Sequence, residues 1–122
     1  MSDYAREHEA LLPAIREAGA AVMRFFTSKS YDVKHKDPEN PVTDADFAAN
    51  RVITAALRSL FPGDAILSEE SESPAERELM ARERFEKKRV WIIDPIDGTR
   101  EFIKGREQFA VSVGLVENEQ AV

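Results

Sequence analysis

WIIDPIDGTREF, residues 91–102, sets an apolar, β-branched run directly against two aspartates, Asp94 and Asp97, which bracket Pro95 and Ile96 and precede Gly98-Thr99. The apolar run reads as a strand. Taken alone, Asp97-Gly98 between apolar runs is a hairpin signal, because a type I′ turn needs positive φ at both central residues. Three features weigh the other way. Asp94 stands at the strand end, Pro95 stiffens the turn, and Gly98-Thr99 opens a segment whose free backbone amides, if helical, favour a phosphate. The loop is therefore expected to bring carboxylates and phosphate-binding amides together.

Working outward, AILSEES (65–71) reads as a short buried strand running into Glu69 and Glu70. Neighbouring residues on a strand point to opposite faces, so only one of the two acids is expected to face inward, and a solvated strand end is the plain alternative for Glu70. Further back, PVTDAD (41–46) offers Thr43 as N-cap and Asp46 at N3, a capping-box variant in which the acid also favours the positive end of the helix dipole. Capping alone would account for Asp46. The helix that follows is expected to turn Val52, Ala56 and Leu60, flanked by Ile53 and Leu57, toward the core and to end at Pro62-Gly63.

An earlier amphipathic helix, over residues 3–28, is marked by Leu11, Ile15, Ala18, Val22 and Phe25. Pro13 lacks the donor a helix interior needs, which would move the regular start to about Leu12. SYDVKHKDPENP (30–41) mixes a short strand with a turn. PAERELMARERFEKKR (74–89) reads as a solvated helix with Glu78–Arg82 and Glu83–Lys87 at i,i+4. GTREFIKG (98–105) is at most a short helix, and QFAVSVGLVENEQAV (108–122) is a strand that turns at Glu117-Asn118-Glu119 into another.

At 122 residues, 43% hydrophobic and 33% charged, the chain suits one modest core. Seventeen basic against 23 acidic residues leave a net charge of −6, which argues against a nucleic-acid backbone binder. Without cysteine there is no disulfide framework, thiolate chemistry or sulfur-ligated metal, as in a reducing cytoplasm. The amino terminus lacks a basic segment followed by an apolar core, and no apolar run approaches the roughly 18 residues of a membrane span. A cytoplasmic protein that engages no membrane is expected.

Carboxylates from separated segments converge only if something cancels their repulsion, which is about 4 kcal/mol for unit charges at 4 Å with an effective dielectric near 20. Glu, Asp, Asp and a loop carbonyl form an all-oxygen set that suits Mg²⁺ better than zinc. His8 and His35 have no ligand spacing, and His35, within VKHK, reads as a surface residue. PVTDAD, ILSEES and WIIDPIDGTREFIKG, in this order, closely resemble the inositol monophosphatase superfamily of Mg²⁺-dependent, lithium-sensitive phosphomonoesterases. Within it, ILSEE and DGTREFIKG look most like the 3′(2′),5′-bisphosphate nucleotidases of sulfur assimilation.

The resemblance implies an α+β fold, a layered α/β sandwich of the sugar-phosphatase type, with two helices of this half packed on an antiparallel sheet. It implies that Glu69, Asp94 and the carbonyl of Ile96 hold one Mg²⁺, that Asp94 and Asp97 share a second, and that Gly98 and Thr99 hold the phosphate. Glu69 and Asp97 thereby border the substrate. Asp46 would pair with the Thr99 hydroxyl to orient and deprotonate the attacking water, and Lys36 matches a lysine on a mobile loop near the site.

Members of the family have a second half whose Trp-Asp motif completes the metal site. Residues 1–122 are thus expected to be an amino-terminal metal- and phosphate-binding portion, weakly active by itself. The expected partner is a small phosphomonoester, adenosine 3′,5′-bisphosphate or its sulfated form, with an inositol phosphate as the alternative. A homodimer is left open. A different class also stays open, a non-catalytic module that binds metal or pairs through its sheet edge.

Overall fold

Apolar residues returning every three or four positions draw the amino-terminal segment into one long helix, α1 (Ala5–Ser28), whose buried face includes Leu11, Ala14, Ala18 and Val22. The structure is a computed structural model that describes residues 4–28, 33–37, 40–68, 70, 74–97, 103, 110–118 and 120–121. Contrary to the expected start near Leu12, α1 runs unbroken through Pro13, whose ring lies on the exposed side. Burial of the opposite face on both sides of the proline offsets the one backbone bond it cannot make.

A two-stranded hairpin follows, β1 (Val33–Asp37) and β2 (Asn40–Thr43), antiparallel and with a register irregularity between His35 and Asp37. It leads directly into α2 (Asp44–Leu60), which packs against α1. Alanines on both buried faces, Ala14 and Ala18 on α1 and Ala45 and Ala49 on α2, keep the side chains at this contact small. The inward face of α2 centres on Ile53 and Leu57, both fully buried, with Val52 and Ala56 only partly buried and Leu60 44% exposed. The core-facing stripe is therefore rotated from the one expected on Val52, Ala56 and Leu60. Burying the polar pair Asp46 and Asn50 turns the helix in that direction.

After Pro62-Gly63 the chain enters β3 (Ala65–Ser68), then α3 (Pro74–Glu86), β4 (Arg89–Asp97), β5 (Ala110–Glu117) and β6 (Gln120–Ala121). The last four strands form one sheet in the order β3-β4-β5-β6. The α+β class stands, but the sheet is mixed: β3 and β4 are parallel, and only the β4–β5 and β5–β6 pairs are antiparallel. Helix α3 is the reason, since it carries the chain back between β3 and β4. It packs on β3 through a single fully inward residue, Met80, while its charged faces meet solvent, with Glu83–Lys87 paired at 3.9 Å. The Arg58–Glu76 ion pair ties it to α2.

Trp91, Ile93 and Leu115 lie with α1 and α2 in the core, whereas Ile92, on the opposite face of β4, is 43% exposed. Asn118, with φ of 52°, makes the turn from β5 to β6, where an asparagine tolerates the left-handed region.

A polar cluster closes the end of the sheet where β4 begins. The Trp91 indole N–H donates to Asp64 Oδ2 at 2.9 Å, Arg89 Nε lies 3.1 Å from the same oxygen, and the Tyr4 hydroxyl donates to Glu117 at 2.9 Å. The Trp91 ring stacks on Phe61 with centroids 5.3 Å apart. Asp64→Ala removes the acceptor of the indole N–H and the carboxylate paired with the guanidinium, so it should cost about 1–3 kcal/mol, measured as a lower midpoint in urea unfolding.

Candidate active site

Asp46 is the best-defined of the candidate residues. Thr43 has extended backbone, φ −120° and ψ 168°, and caps α2, and its hydroxyl accepts from the Asp46 N–H at 3.4 Å. Asp46 Oδ2 in turn accepts the Thr43 N–H at 2.7 Å and the Thr43 hydroxyl at 2.8 Å. The capping box read from PVTDAD is therefore present, and it holds a carboxylate that is 1% exposed. Two of these three hydrogen bonds are accepted by the Asp46 carboxylate and leave it little freedom to rotate, which suits a group that must meet a reactant in one geometry.

The strands place the other acids. Ser68, immediately before Glu69 in the chain, pairs with Ile93, immediately before Asp94. Adjacent strands lie about 4.8 Å apart, so the end of β3 at Ser68 lies beside β4 just before Asp94. Asp94 is exposed and Ile96 buried. The strand does not stop at Asp94, as the sequence suggested. β4 continues to Asp97, which pairs with Ala110, and the register shifts between Asp94 and Asp97 around Pro95, which has no N–H for the ladder. Across from Asp97 the ladder is continued by Ala110, the first residue of β5, and Gly98 of the expected turn lies outside the described residues.

Glu69, Gly98 and Thr99 lie outside the described residues, as do most of GTREFIKG and the side chains of Asp97 and Lys36. The backbone of Lys36 belongs to β1, at the register irregularity of the hairpin that leads into Thr43. Among the described residues no group of three metal-ligating side chains is present. Of the two acids in ILSEES, Glu70 is buried, 6% exposed.

Two polar residues that the sequence reading passed over join these parts. Asn50, one turn after Asp46 on α2, accepts from the Ser68 hydroxyl at 2.5 Å and from the Thr54 hydroxyl at 3.5 Å. The signal was there in the spacing: Asp46, Asn50 and Thr54 recur every fourth residue, a polar line beside the apolar Ala49, Ile53 and Leu57. Through this contact Asp46 stands one helical turn, about 6 Å of rise, from the residue that holds the end of β3. A concavity of about 630 Å³ lies elsewhere, between α1 and β5, lined by Tyr4, Glu7, Leu11, Trp91 and Val113 among others, and none of the described candidate residues borders it.

This combination, a capped helix holding a buried aspartate beside strand exits rich in acids, belongs to a known class of folds. The family model for the inositol monophosphatase family matches residues 3–122, and the chain belongs to that family. Among curated proteins, it is 39% identical over 108 residues to the 3′(2′),5′-bisphosphate nucleotidase CysQ of Salmonella typhimurium, covering 88% of this chain and 42% of that protein. The protein of the same name from Escherichia coli K12 is 40% identical over 104 residues, covering 84% and 40%. The chain thus spans less than half the length of these relatives.

Among solved structures, the extragenic suppressor protein suhB of Bartonella henselae superposes with a TM-score of 0.80 at 28% identity, covering 97% of this chain and 43% of that one. An IMPase of Thermotoga maritima superposes at 0.71 with 32% identity, covering 89% and 39%.

Proposed function

We propose that the full-length protein is a Mg²⁺-dependent phosphomonoesterase that hydrolyses the 3′-phosphate of adenosine 3′,5′-bisphosphate or of its sulfated form. The reading draws on family membership and on the 39–40% identity to proteins named 3′(2′),5′-bisphosphate nucleotidase. The observation that carries the metal part is the parallel register of Ser68 with Ile93, which sets the chain leading to Glu69 beside the chain leading to Asp94. Carboxylates at positions 69 and 94 that turned toward one another from these neighbouring strands would repel unless a cation lay between them.

The donors suit the ion: carboxylates of Glu69, Asp94 and Asp97 with the carbonyl of Ile96 are hard oxygen ligands, and no sulfur competes. Mg²⁺, when bound, lowers the pKa of the attacking water and stabilises the charge on the departing ester oxygen. The chain's own residues do the rest. Gly98 and Thr99 hold the phosphate, and the water's proton passes through the Thr99 hydroxyl to Asp46, whose orientation the Thr43 cap maintains. Water adds to phosphorus as the bond to the 3′-oxygen breaks. That oxygen takes a proton from solvent, giving a nucleoside 5′-phosphate and inorganic phosphate.

The test is a comparison of kcat/KM for adenosine 3′,5′-bisphosphate and inositol 1-phosphate in Mg²⁺, with phosphate release as the readout. A preference for the nucleotide is expected. A clear preference for the inositol ester would transfer the assignment to the sugar-phosphatase branch, and no turnover of either would leave the non-catalytic module as the better reading.

A further inference from the structure

Ser68 is buried, 6% exposed, and its hydroxyl is used in both directions. It donates to Asn50 Oδ1 on α2 at 2.5 Å and accepts the Glu70 N–H at 3.3 Å. The second bond is a serine turn, in which a side chain replaces a backbone carbonyl and fixes the chain two residues on. The first bond crosses to the helix that holds Asp46 one turn earlier. Asn50 is itself 6% exposed and also receives the Thr54 hydroxyl. One hydroxyl therefore links the end of β3 and the Glu70 N–H to α2.

Once buried, the Ser68 O–H needs an acceptor and Asn50 supplies it, although apolar residues at both positions would pack between helix and sheet at less desolvation cost. We infer that Ser68 and Asn50 are positioning residues, which fix the exit of β3 against α2 so that the ligand at position 69 and the base at position 46 keep one spacing. This rests on the proposed roles of Glu69 as a metal ligand and Asp46 as the base. Groups that orient a ligand without touching the metal change affinity by about 10–100-fold when removed.

The experiment is Mg²⁺ binding to the full-length protein by isothermal titration calorimetry, alongside urea unfolding without metal. The variants are Ser68→Ala, Ser68→Cys, Ser68→Thr and Glu69→Gln. Ser68→Cys preserves the shape while its thiol makes only weak hydrogen bonds, so it serves if the alanine variant does not fold. Mg²⁺ affinity is expected to fall about 10–100-fold in Ser68→Ala and Ser68→Cys and to return in Ser68→Thr, which keeps the hydroxyl. If Ser68→Ala and Ser68→Cys lose stability but bind Mg²⁺ like the parent while Glu69→Gln binds weakly, the positioning role is wrong and the metal assignment stands. If Glu69→Gln also binds like the parent, the metal assignment fails and takes the positioning role with it.

Discussion

Asp46→Asn is expected to lower kcat by about 10²–10⁴-fold with Mg²⁺ affinity and unfolding free energy close to those of the parent. The separation follows from how Asp46 is held. Its Oδ2 accepts both the N–H and the hydroxyl of Thr43, and an asparagine carbonyl can accept the same two bonds. The cap therefore survives within about 1 kcal/mol. What the amide loses is the capacity to accept a proton delivered through Thr99.

Thr99→Ala should resemble Asp46→Asn, and the double variant should be little worse than either, as expected of groups that act as one unit. Asp46→Ala is the contrast, because it also strips the buried N–H and hydroxyl of Thr43 of their acceptor and should cost about 1–3 kcal/mol of stability. Steady-state kinetics and urea unfolding on the same samples decide the matter. If Asp46→Asn keeps its kcat, Asp46 is a helix cap and nothing more.

That ambiguity was already visible in the sequence, since Thr43 and Asp46 at N-cap and N3 carry a local hydrogen-bond pattern legible from spacing alone. The same holds for α1, whose apolar repeat is unmistakable, and for the turn at Asn118. Features that depend on what packs against what were harder to read. Pro13 looked like a helix boundary because the sequence shows its missing donor but not the burial on either side. The inward stripe of α2 was placed too near Val52 and Leu60 because buried Asp46 and Asn50 count against an apolar face, although they define it here. The parallel pairing of β3 with β4 follows from α3 crossing between them, and the contact of Asn50 with Ser68 joins residues 18 apart in the chain. No local pattern records such a contact.

Asp94→Asn is expected to weaken Mg²⁺ binding roughly 10²–10³-fold, more than Glu69→Gln or Asp97→Asn, because Asp94 is the one carboxylate assigned to both metal positions. A unit charge at 4 Å in an effective dielectric near 20 is worth about 4 kcal/mol, and asparagine retains only the dipole. The exposure of Asp94 makes the experiment clean. An exposed, near-isosteric change leaves no cavity and removes one of the repelling charges, so unfolding free energy without metal is not expected to fall by more than about 1 kcal/mol. The loss should appear only in the metal-dependent part of stability, as a smaller rise in melting temperature at a given Mg²⁺ concentration. Excess Mg²⁺ should then restore part of the activity, which it cannot do for Asp46→Asn. The opposed responses distinguish a residue that gathers the ion from one that moves a proton, although both are aspartates. An unchanged Mg²⁺ affinity in Asp94→Asn would remove it from the ligand set.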